Sequence, residues 1–108
     1  MLKALRRNRF LVLGRAGMDL YADPPGEHIE RARRFSSAIG GSAANIAAGI
    51  VKLGGTASLL STLSDDAVGR FVLNELDNYG VDRTHVGIPS GEARTSLAVV
   101  ESRLSNCQ

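Results

Sequence analysis

Three short apolar runs, RFLVLG from Arg9 to Gly14, TASLLSTL from Thr56 to Leu63 and THVGI from Thr84 to Ile88, are separated by two stretches of helical spacing. This alternation predicts an α/β fold with a parallel sheet, because parallel neighbours need a crossover long enough to hold a helix. The unbroken run before Gly14 predicts a first strand buried on both faces. In the first helical stretch, Ser42 is the expected N-cap, Ile46, Ile50 and Leu53 the apolar stripe, and Gly54 the left-handed stop. That is a helix of about three turns. The second stretch, SDDAVGRFVLNELDNYG, offers Asp65 or Asp66 as cap. Its stripe is Val68, Phe71, Val72, Leu76 and Tyr79, with Gly80 at the C-terminal stop and Val81 placed for the contact that accompanies it.

The remaining segments are less regular. In RAGMDLYADPPGE, Pro24, Pro25 and two glycines rule out a regular element through the second half, and the stretch reads as a loop. IERARRFSSAI fits a helical stripe through Ile29, Ala32 and Phe35, and equally an alternation through Ile29, Arg31, Arg33 and Phe35. Periodicity leaves it open. After the turn PSGE, Leu97 and Val99 alternate with Ser96 and Ala98 as in a strand. Two helices cannot cover both faces of a growing parallel sheet, and the chain closes on polar ESRLSNCQ; the expectation is an incomplete N-terminal portion of a larger fold.

Charge narrows the function classes. Met1 to Arg34 carries eight Lys/Arg against four Asp/Glu, and the rest five against seven, so the basic excess is local. Residues 1–9 read as a solvated basic leader. No aromatic residue other than Phe10 interleaves with its charges, which argues against nucleic acid as a partner. FLVL is too short for a signal peptide core, and no apolar run reaches a membrane span, so the expectation is a cytoplasmic protein with no membrane partner. The single cysteine, Cys107, lies in a polar tail, with no sequence reason for a histidine to approach it.

The stretch IGGSAANIAAGIVKLGG raises the question of function. A glycine pair opening a helix is an anion site, since the first N–H groups are unpaired and the dipole favours negative charge. A phosphate is the default ligand. Yet neither G-x-x-x-x-G-K-[ST] nor, after the first strand, G-x-G-x-x-G occurs. Asp19, expected just past the C-terminal end of the first strand, and Asn45, in the first turn of the helix, are placed to converge with Gly40 and Gly41. A carboxylate, an amide and bare backbone N–H groups suit sugar hydroxyls. Singly, each residue is explained by its local surroundings; the combination favours a ligand site.

GGSAANIAAGIVKLGG, followed by LLSTLSDDAVGRFVLNEL and YGVD, resembles the N-terminal part of the ribokinase-like (PfkB) carbohydrate kinases. LGRAGMDLY, RRFSSAIGG and ARTSLAVVESR resemble, more narrowly, the sugar-acid kinase of inositol catabolism within that family. The resemblance covers nearly the whole chain from Phe10 and makes residues 10–108 the N-terminal part of a kinase domain. It implies an open sheet with helices on both faces and a small β lid, formed by segments at about 27–38 and 94–103. That turns the ambiguous IERARRF toward strand. It implies that Gly40, Gly41, Asn45 and Asp19 hold a sugar, and that ATP, Mg²⁺ and the catalytic Asp of a Gly-Ala-Gly-Asp motif belong to the C-terminal half, absent from this sequence. The chain alone is therefore expected to be inactive. A homodimer through the lid is a further expectation.

This sequence departs from the family pattern in two places. Gly17 stands where many members have Asn two residues before the Asp. Ser64 stands where Gly commonly precedes the paired aspartates, so Asp65 and Asp66 read as cap and scaffold. Arg15 and Arg94 are candidate partners for a sugar-acid carboxylate, which a guanidinium grips bidentately. Two other classes remain: a self-contained nucleotide-binding module, and a kinase-derived sugar-binding or dimerising protein without catalysis.

Overall fold

The computed structural model describes residues 9–89, 91 and 94–102. Most of the basic leader and Cys107 lie outside the described residues; Arg9 belongs to the first strand. Strands β1 (Arg9–Leu13), β4 (Thr56–Thr62) and β5 (Val86–Gly87) form a parallel sheet in the order β1-β4-β5. Helix α1 (Ser42–Lys52) connects into β4, and α2 (Ala67–Tyr79) follows it, as the alternation predicts.

A second sheet has the order β3-β2-β6, with β2 (Gly17–Asp23) between antiparallel β3 (Arg34–Gly40) and parallel β6 (Ser96–Val100). β2 corrects the reading of RAGMDLYADPPGE as loop: its first half is a seven-residue strand and only Pro24 onward turns away. The first lid segment is also corrected. Ile29–Arg31 is a single 3-10 turn, and the strand starts at Arg34 and runs on to Gly40.

One hydrophobic cluster takes Ala57 and Leu59 from β4, Ala43, Ala44 and Ala47 from α1, and Val72 and Leu76 from α2. Both helices thus lie on one face of the parallel sheet. On the opposite face Leu11 and Leu13 are 64% and 75% exposed, so β1 is half-buried on one face and exposed on the other, not buried on both. The stripe expected for α1 holds only at Ile50, which is half-buried against the core. Ile46 and Leu53 are 56% and 53% exposed, while alanines at positions 43, 44, 47 and 48 are buried. Small side chains let the helix axis approach the strands more closely than isoleucine would allow, and close packing compensates for the smaller area.

The helix ends follow local chemistry more faithfully. Asp66, not Asp65, caps α2, its carboxylate accepting from the N–H of Gly69 at 2.9 Å. At the other end Gly80 is left-handed, and the Val81 N–H donates to the Leu76 carbonyl while its side chain enters the core. For α1 the N-cap is Gly41, at φ 90°, and Ser42 is the first helical residue.

A candidate sugar site between the two sheets

The reason Gly41 takes the cap position lies in its neighbours. A side chain there would meet the Arg15 carbonyl oxygen, with the Ala16 Cα at 2.9 Å, and its positive φ disfavours any residue with a Cβ. At Gly40 a Cβ would run into the carboxylate of Asp19. What comes close to the glycine pair is therefore the protein's own β1–β2 connection and the Asp19 side chain.

Asp19 is not in a loop past the first strand but third in β2, its Cα opposite Ala38 of β3 and Ala98 of β6. It shares its sheet face with Gly17, Tyr21, Gly40 and Ser96, because register partners point the same way. The Tyr21 hydroxyl donates to Asp19 Oδ2 at 3.3 Å. The charge of Asp19, then burial, then that bond hold the Tyr21 hydroxyl above its ordinary pKa. Gly17 has its own reason to be glycine: a Cβ would lie 2.7 Å from the Ser96 carbonyl oxygen.

A cavity of about 430 Å³ opens beside Asp19, lined by Arg15, Ala16, Gly17, Gly41 and the start of β6 from Ser96 to Ala98. A second hollow of about 350 Å³ lies at the C-terminal ends of β1 and β4 and shares Arg15 with the first. The structure thus brings together Arg15, Asp19 and Gly41, with Gly40 as the floor under the carboxylate. Asn45 and Arg94 are not in that lining. Asn45 donates its amide to the Gly41 carbonyl at 3.0 Å, a bond one helical turn back. Arg94 precedes β6, where its charge helps hold the Asp66 carboxyl below its ordinary value; the larger causes are the bonds from the Gly69 N–H and the Ser64 hydroxyl.

Sequence reading missed Ser96 to Ala98 as cavity wall. Nothing local marks them: they reach Asp19 only because β6 pairs in parallel with β2.

The fold is an α/β layer carrying a small β sheet, with a concave cavity beside Asp19 of the size that small-ligand sites have. The family model for pfkB family carbohydrate kinase matches residues 7–105, and the chain belongs to that family. The 5-dehydro-2-deoxygluconokinase of Photobacterium profundum is 37% identical over 107 residues, covering 96% of this chain and 32% of that protein. Among solved structures, the PfkB protein of Polaromonas sp. JS666 superposes with a TM-score of 0.81 at 28% identity, over 91% of this chain and 33% of that one. A sugar kinase of Pyrococcus horikoshii in complex with ATP gives 0.75 at 27% identity, over 85% of this chain and 30% of that one. The chain spans about a third of the length of the relatives it matches.

Proposed function

We propose that this chain forms the sugar-binding part of a kinase that transfers phosphate from ATP to a hydroxyl of a sugar acid, with 5-dehydro-2-deoxy-D-gluconate as substrate, in cytoplasmic inositol catabolism. The observation that carries the reading is the pairing of Asp19 and Arg15 on one cavity of about 430 Å³. A carboxylate accepts from sugar hydroxyls, and a guanidinium grips an acid group; together they select an acidic sugar over a neutral one. The relative from Photobacterium profundum, named for that substrate, supports the choice.

In this reading ATP and Mg²⁺ are held by a C-terminal half outside this sequence. The glycine pair that resembles a phosphate loop is filled from within by Asp19 and by the Arg15 carbonyl. No Gly-Ala-Gly-Asp motif, which would supply the base, occurs in the sequence. The 108-residue chain by itself is therefore inactive in this reading. In the same reading a second copy covers the outer lid face, where Phe35 and Val99 are exposed opposite the Asp19 face. Among the described residues no helix is long and apolar enough to cross a membrane.

The direct test is ADP release by the natural protein with 5-dehydro-2-deoxygluconate, ribose and fructose offered in parallel. Preference for the sugar acid by a factor of about ten or more is expected. Equal or better use of ribose would sink the substrate assignment.

A further inference from the structure

Ser64 is a polar residue only 3% exposed, lying between β4 and α2, and its bonds reach across the chain to Thr95. The Ser64 N–H donates to Thr95 Oγ1 at 2.8 Å, and the Thr95 N–H donates to Ser64 Oγ at 3.1 Å. Ser64 Oγ also donates to Asp66 Oδ1 at 2.7 Å. An ionised carboxylate only accepts, so the single Ser64 proton is committed to Asp66. The 2.6 Å contact between the two hydroxyl oxygens must then be filled by the Thr95 proton. Every donor of the pair is used, and both lone pairs of Ser64 Oγ are occupied. The network has one proton arrangement, running from Thr95 through Ser64 to the Asp66 cap.

Its place in the chain gives it leverage. Thr95 directly precedes β6, whose first three residues line the cavity beside Asp19. Among the described residues β6 is an edge strand, paired to β2 alone. Ser64 packs closely on α2, its carbonyl oxygen occupying the space a Cβ on Gly69 would take. At the far end of β6 the ties are exposed: Glu101 accepts from the Ile29 N–H at 3.2 Å and meets the His28 ring at 3.3 Å.

We propose that Thr95 is a positioning residue, which through Ser64 and Asp66 locks the start of β6 to the N-terminus of α2 and so fixes the cavity wall against Asp19. It lies outside the cavity lining and sets sugar affinity from there. The proposal rests on the sugar-kinase reading for its kinetic consequence and on the described bonds alone for its structural one.

The test uses Thr95→Val, which keeps the shape and removes the hydroxyl, and Thr95→Ser, which restores it, both in the natural protein that carries this chain. Thr95→Val removes both bonds of the hydroxyl and should raise KM for the sugar acid about tenfold, with kcat changed less than about twofold. Thr95→Ser should return KM to within about twofold of the original value. Amide exchange across Ser96–Val100 should quicken about tenfold in the valine variant and not in the serine one. Ser64→Ala should match Thr95→Val, and the double variant should be no worse than either, since both remove one network. Unchanged exchange would overturn the proposal, and so would faster exchange with an unaltered KM. If the natural protein phosphorylates none of the sugars, the proposed function falls, and exchange at β6 alone decides whether the lock exists.

Discussion

The carboxylate of Asp19 sits where a side chain on Gly40 would have to be. The glycine and the acid are a matched pair, one on β3 and one on β2, and neither explains itself without the other.

Gly40→Ala should therefore push Asp19 aside. The methyl meets the end of a half-exposed side chain that can turn away, so the cost in stability should be about 1 kcal/mol or less, and sugar affinity should fall about tenfold as the carboxylate moves. Adding Asp19→Ala should return most of the lost stability but none of the affinity. Thermal melting and KM of the three variants in the natural protein check this; a stable Gly40→Ala with normal affinity would contradict it.

Arg15→Ala should raise KM for a sugar acid about tenfold and leave a neutral sugar within about twofold, because the lost interaction is with the acid group. Arg94→Ala should leave both within about twofold, since Arg94 lies by Asp66 and outside the cavity lining. Equal losses for both sugars in Arg15→Ala would remove the carboxylate role.

The core face of α1 should resist enlargement. Ala44 and Ala47 have no exposed surface, so Ala47→Leu should cost about 1–3 kcal/mol by overpacking, while the exposed Ile46→Gln should stay within about 0.5 kcal/mol. Urea midpoints decide it. Greater damage from Ile46→Gln would restore the isoleucine stripe.

Acid stability should show the hand of Asp82. Bonds from the Thr84 hydroxyl, the Thr84 N–H and the Ser58 hydroxyl lower its carboxyl from 3.8 to about 2. A depressed folded pKa contributes stability that is complete above the unfolded value and is lost as pH falls toward the folded one, so the window runs from 3.8 down to about 2. Asp66, lowered chiefly by the Gly69 N–H, acts in the same direction. Asp82→Asn should flatten the decline of the urea midpoint across that window; an unchanged slope would rule out Asp82 as its source.

The 108-residue chain alone, incubated with ATP and the sugar acid, should release no ADP above the blank. Turnover would place a base and a nucleotide site within these residues.

Much of this molecule was legible in local sequence. The Asp66 cap, the left-handed Gly80 with Val81 behind it, Gly54 after α1 and the strand–helix order all rest on interactions within a few residues, and the structure shows them. The ordered motifs likewise pointed to the carbohydrate-kinase family. Tertiary structure decided the rest. Which face of α1 turns inward depends on how near the sheet can come, and the alanines that permit close approach carry a weaker apolar signal than Ile46 and Leu53, which are left outside. Asp19 became a strand residue because β3 and β6 supply hydrogen-bond partners on both sides, from positions far along the chain. The same long-range pairing joins Thr95 to Ser64 and brings β6 to the cavity wall. A sequence records spacing along the chain, whereas a site is made by what folding brings together across it.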